Sequence, residues 1–230
     1  MRLDKFVCKS TDLSRKAATG VISAGRVLVN GCAITEARTQ VHENNEILLD
    51  GERLVARPFR YLLMHKPAGY VCSNIDEAYP SLFNLIDIEN KAELHIAGRL
   101  DADTTGLVLI TDDGRWSFDI IRPTQHCEKL YRVGLRDPIG ADVADIFAAG
   151  VMLQGENAPT RPAKLAAVSD REALLSITEG KFHQVKRMFA AVGNRVVRLH
   201  REQIGNINLD LPEGQWRYLS ESEISSFSDK

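Results

Sequence analysis

The stretch Gly98–Gly114, GRLDADTTGLVLITDDG, decides how this chain is read. Asp101 sits between Arg99-Leu100 and a Thr104-Thr105-Gly106 turn. The β-rich run Leu107–Ile110 follows, and Asp112-Asp113-Gly114 closes it as a turn. The pattern predicts strand, loop, strand, with one carboxylate held in a loop between two rigid elements. A carboxylate placed this way is a candidate nucleophile or base.

The same stretch has a rival reading. Asp101, Asp103, Thr105, Gly106, Val108 and Asp112 match positions 1, 3, 5, 6, 8 and 12 of a calcium-binding EF-hand loop. Two features argue against it. Position 12 should be a bidentate Glu, and Asp is too short for that role. The loop should also run into a helix, whereas Leu107–Ile110 is apolar and partly β-branched and stops at Asp-Asp-Gly.

Working outward, strands are expected at Tyr61–Met64, Leu94–Ala97, Leu107–Thr111, Lys129–Leu135, Ala163–Val168 and Ala173–Thr178. Helices are expected over Asp142–Ala149, Phe182–Val192 and Glu221–Phe227, the first two closed by Gly150 and Gly193. Strands in runs with few intervening helices predict a mostly antiparallel α+β domain. Upstream the pattern differs. Leu3, Phe6 and Val7 have helical spacing, and Ser14 reads as the N-cap of a second helix through Ser23. Asn30-Gly31 between Val27-Leu28-Val29 and Cys32-Ala33-Ile34 is a hairpin signal, and Asp50-Gly51 repeats it. Arg57-Pro58 reads as a linker, giving a small unit over 1–57 and a larger one over 58–230.

Lys and Arg number 29 against 31 Asp and Glu, for a net charge of −2, so total charge says nothing of nucleic acid. The distribution does. Residues 1–26 carry six bases against two acids, and residues 181–201 carry six bases and no acid. Two separated basic regions predict a polyanion-binding face. Arg2, Lys5, Arg15, Lys16 and Arg26 are its candidates upstream, and Arg187 and Arg201 downstream. Arg15 and Lys16 stand in the first turn of a helix, against the dipole, as they would if that end faced phosphate. The bland alternative is two solvated faces.

Within the expected helix Phe182–Val192, the residues Phe182, Val185, Met188, Phe189 and Val192 share a face. Arg187 points away from it and Lys186 lies at its margin. A margin lysine suits a partly buried carboxylate, and an ordinary solvated base fits the spacing equally. Tyr131 alternates with Lys129 and Val133 along a strand, either as a half-buried strand tyrosine or as a face for stacking a base.

Other classes find little support. Cys8, Cys32, Cys72 and Cys127 are scattered, which predicts neither a zinc site nor a disulfide framework and fits a reducing, cytoplasmic setting. The six histidines have no metal-ligand spacing on a helix, so no metal is expected. There is no G-x-S-x-G elbow and no glycine-rich phosphate loop, so no nucleotide cofactor is expected. No apolar run approaches a membrane span, and the charged start is not patterned as a signal peptide.

Taken together the motifs resemble the bacterial RsuA-type pseudouridine synthases over essentially the whole length. RLDKF, LSRKAA and RVLVNG resemble an S4 RNA-binding domain. HKPAGYVCS at 65–73, GRLDADTTGLVLITDDG, HCEKLY at 126–131 and EGKFHQVKRMFAAVGNRVVRLHR at 179–201 resemble the catalytic-domain motifs in order. The resemblance implies an S4 domain followed by a mixed-sheet catalytic domain that isomerises uridine in RNA without cofactor or metal. It implies a base turned out of its stack. Asp101 becomes the essential carboxylate, offset against desolvation by Lys186. Tyr131 would stack on the uracil, Leu199 would pack on its other side, and Arg99 would hold the nucleotide's backbone. KFHQVK, GYVCS and HCEK resemble the small-subunit enzymes more. One uridine of 16S ribosomal RNA, in a partly assembled small subunit, is therefore the expected target of a monomeric enzyme. The alternatives are 23S ribosomal RNA or a non-catalytic S4-type assembly factor.

Overall fold

The computed structural model describes residues 1–42 and 44–227. The chain divides into two compact units, Met1–Pro58 and Phe59–Lys230. In the first, α1 (Leu3–Ser10) and α2 (Arg15–Ser23) are followed by four short strands, β1 (Val27–Val29), β2 (Cys32–Ala33), β3 (Ile47–Leu49) and β4 (Glu52–Arg53). These form an antiparallel sheet in the order β2-β1-β3-β4. Ser14 caps α2 by accepting from the Ala17 N–H at 3.3 Å. Leu3, Phe6, Val7, Ile22, Val27 and Ile47 close a core of the unit's own.

The second unit is built on one large sheet. Its strands are β5 (Tyr61–Lys66), β6 (His95–Ala97), β7 (Thr105–Thr111), β8 (Lys129–Leu135), β9 (Lys164–Ser169), β10 (Glu172–Ile177), β11 (Val196–Ile204), β12 (Ile207–Asn208) and β13 (Trp216–Tyr218). The path runs β13-β5-β7-β11-β8-β10-β9, with β6 on β7 and β12 on β11. Among the named strands every pairing is antiparallel except β7 with β11. Helices α3 (Gly114–Ile121), α4 (Val143–Ala149), α5 (Gln184–Ala191) and α6 (Glu221–Ser225) complete it.

The apolar run of β7 follows from burial on both sides. Val108 and Ile110 face a core with Leu62, Met64, Tyr131, Val133 and Leu199, covered by Phe147 of α4 and by Met188 and Phe189 of α5. Leu107 and Leu109 face the opposite core with Leu63, Ile204, and Trp116 and Ile120 of α3. A strand covered twice reads as continuous hydrophobics instead of alternation. Each such side chain contributes about 1.5–3 kcal/mol.

Three readings need correction. Asp112-Asp113-Gly114 does not simply turn: the Asp113 carboxylate accepts from the N–H groups of Arg115 and Trp116 and starts α3. Turns and N-caps use the same short acidic side chains, so the helix was hidden behind a turn signal. β11 was not expected at all, because bases interrupt its apolar positions. The helix expected over Phe182–Val192 begins only at Gln184, since His183 is left-handed at φ 47°. Phe182 is thereby off the apolar face and 72% exposed. The geometry agrees with the reading against an EF-hand: Thr105–Thr111 is a strand, and Asp112 at its far end binds the backbone and guanidinium of Arg60.

The parallel join of β7 to β11 needs a glycine. Gly106 has φ 116°, and a Cβ there would lie 2.3 Å from the Arg201 carbonyl oxygen. Gly31, at φ 80°, opens on empty space. Gly106→Ala should therefore cost on the order of 3 kcal/mol or more, and Gly31→Ala only about 1 kcal/mol. Urea unfolding of the two variants measures this, and equal costs would contradict the close approach.

Candidate active site

Asp101 opens a four-residue turn in which the Thr104 N–H donates to the Asp101 carbonyl at 3.1 Å. The turn is fastened from the segment after β5. Lys66 is fully buried, and its ammonium donates to the carbonyls of Pro67, Ala102 and Thr104 at 3.0, 3.2 and 2.8 Å. The Gly69 N–H donates to the Ala102 carbonyl at 2.8 Å, and the Leu100 N–H to Cys72 Sγ at 3.3 Å. Burial pushes the Lys66 ammonium below, and the Cys72 thiol above, their ordinary values.

The Asp101 carboxylate projects into a cleft of about 660 Å³. Lys186, on α5, places Nζ 2.9 Å from Asp101 Oδ2 and 2.7 Å from Asp103 Oδ1. His183 brings Nε2 to 3.3 Å from Asp101 Oδ1. Burial opposes the charge on Lys186, but hydrogen bonds to Asp103 and Asp101 outweigh it and hold the ammonium above its ordinary 10.5. Burial likewise opposes ionisation of Asp103, and the hydrogen bond from Lys186 overrides it, holding that carboxyl below 3.8.

Tyr131 and Leu199 line the same cleft, 7% and 8% exposed, from adjacent strands β8 and β11. Arg99 stands at the rim, exposed. Among the described residues it makes no ion pair, so its guanidinium is available to a ligand. The structure thus brings Asp101, Arg99, Tyr131, Lys186 and Leu199 around one cavity.

Two bases expected to contact RNA are committed elsewhere. Arg201 is 1% exposed; it donates to the carbonyls of Leu107 and Gly98 at 2.8 and 2.7 Å and to the Tyr131 hydroxyl at 3.3 Å. A buried guanidinium needs such acceptors, and here it braces both ends of the Asp101 loop and the tyrosine. Arg187 donates to Glu156 at 3.1 Å and to the carbonyls of Phe182 and Gln154 at 3.0 and 2.6 Å. It folds back on its own loop. Lys181 pairs with Glu156 and Arg198 with Glu172, so most of the basic run over 181–201 is internally neutralised.

In the first unit Arg2 is bonded to Asp4 and Arg26 to Asp50. Lys5 is half-buried on α1, while Arg15 and Lys16 are exposed in the first turn of α2. Lys66, His183, Lys129 and the bracing role of Arg201 escaped the sequence reading. Lys129 lines the cleft, 6% exposed, and donates to the Cys127 carbonyl.

Lys186→Met should reveal the cluster's pH range. The Asp103 contribution is present above about 3.8 and lost as pH falls through its lowered folded value. The Lys186 contribution is present below about 10.5 and lost as pH rises through its raised folded value. The stability gap between wild type and variant is therefore widest between about pH 5 and 9 and shrinks at both ends. Urea midpoints across pH measure it. A gap that persists unchanged once the ammonium has lost its proton would mean that the difference does not come from the Lys186 charge.

Among the described residues no helix is long and apolar enough to cross a membrane. The family model for RNA pseudouridylate synthases matches residues 60–191, and that for the S4 domain matches residues 1–47. Ribosomal small subunit pseudouridine synthase A of Pasteurella multocida (strain Pm70) is 48% identical across 99% of this chain and 100% of its own length. The protein of that name from Escherichia coli (strain K12) is 47% identical across 98% of this chain and 99% of its own. A crystal structure of a pseudouridylate synthase, 45% identical, superposes with a TM-score of 0.73 and covers 99% of both chains. With its Asp101 cleft between β8, β11 and α5 and an S4 domain ahead of it, the chain belongs to the RNA pseudouridylate synthase family.

Proposed function

We propose that this chain converts one uridine of small-subunit 16S ribosomal RNA to pseudouridine, with Asp101 as the catalytic carboxylate. The observation that carries the reading is Asp101 itself, an anion held by Lys186 at 2.9 Å in a cleft walled by Tyr131 and Leu199. The small-subunit target is supported by the names and full-length similarity of the two relatives above.

The reaction is an isomerisation. The bond from ribose C1′ to N1 breaks, a bond from C1′ to C5 forms, C5 gives up its proton and N1 takes one up. Atoms balance without a co-reactant. A base must leave its stack to bring C1′ and both ring atoms within reach of one carboxylate. The cleft suits such a base: the Tyr131 ring offers one apolar face and Leu199 another, and the Arg201 bond to the Tyr131 hydroxyl fixes the ring's attitude. Arg99 at the rim supplies a phosphate contact. Lys186 stabilises the Asp101 anion and spares it for the reacting centre. In the first unit Arg15 and Lys16 supply sequence-independent phosphate contacts. The enzyme acts as a monomer on RNA in a partly assembled subunit in the cytoplasm.

The test is tritium release from RNA labelled at uridine C5, run on 16S and 23S transcripts and on subunit particles. Release is expected from 16S RNA, naked or in particles. Asp101→Asn should abolish it, a loss of at least a thousandfold (about 4 kcal/mol), while RNA affinity stays within a few fold. Release from 23S RNA alone would move the target to the large subunit. Release from none would leave a binding factor, and substantial turnover by Asp101→Asn would remove the aspartate from the mechanism.

A further inference from the structure

Phe182 presents an aromatic ring to solvent at the mouth of the Asp101 cleft, 72% exposed. One face of it is covered. The His183 ring stacks beneath at a centroid distance of 3.7 Å and an interplanar angle of 22°. The Nε2 of that histidine lies 3.3 Å from Asp101 Oδ1. The outer face of Phe182 has no comparable partner among the described residues.

The loop is built to hold this arrangement. Glu179 and Gln184 are 8% and 4% exposed. Glu179 Oε1 accepts from the Arg161 N–H at 2.9 Å and from Gln184 Nε2 at 2.8 Å. Gln184 Oε1 in turn accepts from the Lys181 N–H at 2.8 Å, and Arg187 donates to the Phe182 carbonyl at 3.0 Å. His183 is held left-handed at φ 47°, a conformation that disfavours a non-glycine residue. An anchored loop that keeps a phenylalanine out of the core and a histidine in a strained conformation is arranged for something outside it.

We propose that Phe182, seated on His183, is a stacking platform for the nucleobase adjacent to the uridine that enters the cleft. The inference rests on the functional reading above. Turning a uridine out leaves its neighbour with one bare π-face at the cleft mouth. A flat aromatic ring replaces the lost stacking partner without regard to base identity. The Arg99 guanidinium, without an ion pair among the described residues, lines the same cleft and supplies the charge complement for the strand's phosphate. The His183 contact with Asp101 ties the platform to the catalytic carboxylate, so a base on Phe182 is registered against the reacting uridine.

The experiment uses the full chain and the RNA fragment on which wild type releases tritium. Binding and KM are measured for Phe182→Ala, Phe182→Leu and Phe182→Trp, on that RNA and on copies abasic at the 5′ or 3′ neighbour of the target. Phe182→Ala should weaken binding about tenfold, with the effect falling mainly on KM. Phe182→Leu, apolar but without a π-face, should resemble Phe182→Ala, and Phe182→Trp should restore affinity. One abasic neighbour should weaken wild type by a similar factor and leave Phe182→Ala unaffected. The tryptophan emission of Phe182→Trp should be quenched by intact RNA and not by that abasic copy. Affinity of Phe182→Ala within twofold of wild type overturns the platform, as do equal abasic losses in both proteins. If wild type turns over no RNA at all, the functional reading fails and the platform falls with it.

Discussion

A lysine ammonium with no access to solvent must find oxygen acceptors, and Lys66 finds them in the turn that carries Asp101. Burial costs the charge a great deal and is tolerated only where hydrogen bonds replace the water. The carbonyls of Ala102 and Thr104 are therefore fixed around one point, and the turn between them cannot relax without stranding a buried cation. Arg201 imposes the same condition on the turn's flanks through Gly98 and Leu107. Two cations thus define a short acidic loop that backbone propensity alone would leave loose. Ala102 keeps a second donor in the Gly69 N–H, whereas loss of the Lys66 ammonium takes a donor from the carbonyl of buried Thr104, at about 1–3 kcal/mol.

That fixed turn is what makes the electrostatics of the cleft work. Asp101, Asp103 and Lys186 meet because α5 is packed through Val185, Met188 and Phe189 onto the same core that buries β7 and β8. The helix delivers the ammonium and the turn delivers the carboxylates. Neither element has to move to form the pair. A preorganised charge pair stabilises a reacting carboxylate more than a mobile one, because nothing need reorient as charge shifts. The cleft is also lined by Lys129 and Arg201, so the Asp101 carboxylate stands among cations.

The sequence made some of this legible. Asp101 stood out because turn residues isolate it between β-rich runs, and Tyr131 and Leu199 because a strand alternates and a motif resembles a family. Lys66 was hidden. Its acceptors lie 36 and 38 residues away, and nothing local distinguishes a buried lysine from one that simply ends a strand. Arg187 and Arg201 were read as a phosphate-binding run because charge counts are blind to partners: Glu156, three residues before Pro159, lies far from Arg187 in sequence and 3.1 Å away in space. The α5 boundary was missed for a different reason. Periodicity places Phe182 on the apolar face, and only the left-handed conformation of His183 takes it off. Long-range hydrogen bonding and a single backbone torsion are the two kinds of information that patterns do not carry.

The inward turn of the 181–201 bases changes where affinity for a polyanion must originate. If that run were free, the catalytic domain would bind RNA through bulk charge and bind it anywhere. With Lys181, Lys186, Arg187, Arg198 and Arg201 engaged by acids or carbonyls, a phosphate contact to any of these five would first have to displace an internal partner. The S4 domain differs in presenting Lys16 exposed in the first turn of α2, beside Arg15, which is exposed and 3.5 Å from Asp4. The cleft itself offers shape and aromatic surface, which act only at contact, and the one exposed cation Arg99 at its rim. An enzyme of RNA gains from this division. Long-range attraction and short-range contact are thereby carried by different sets of side chains.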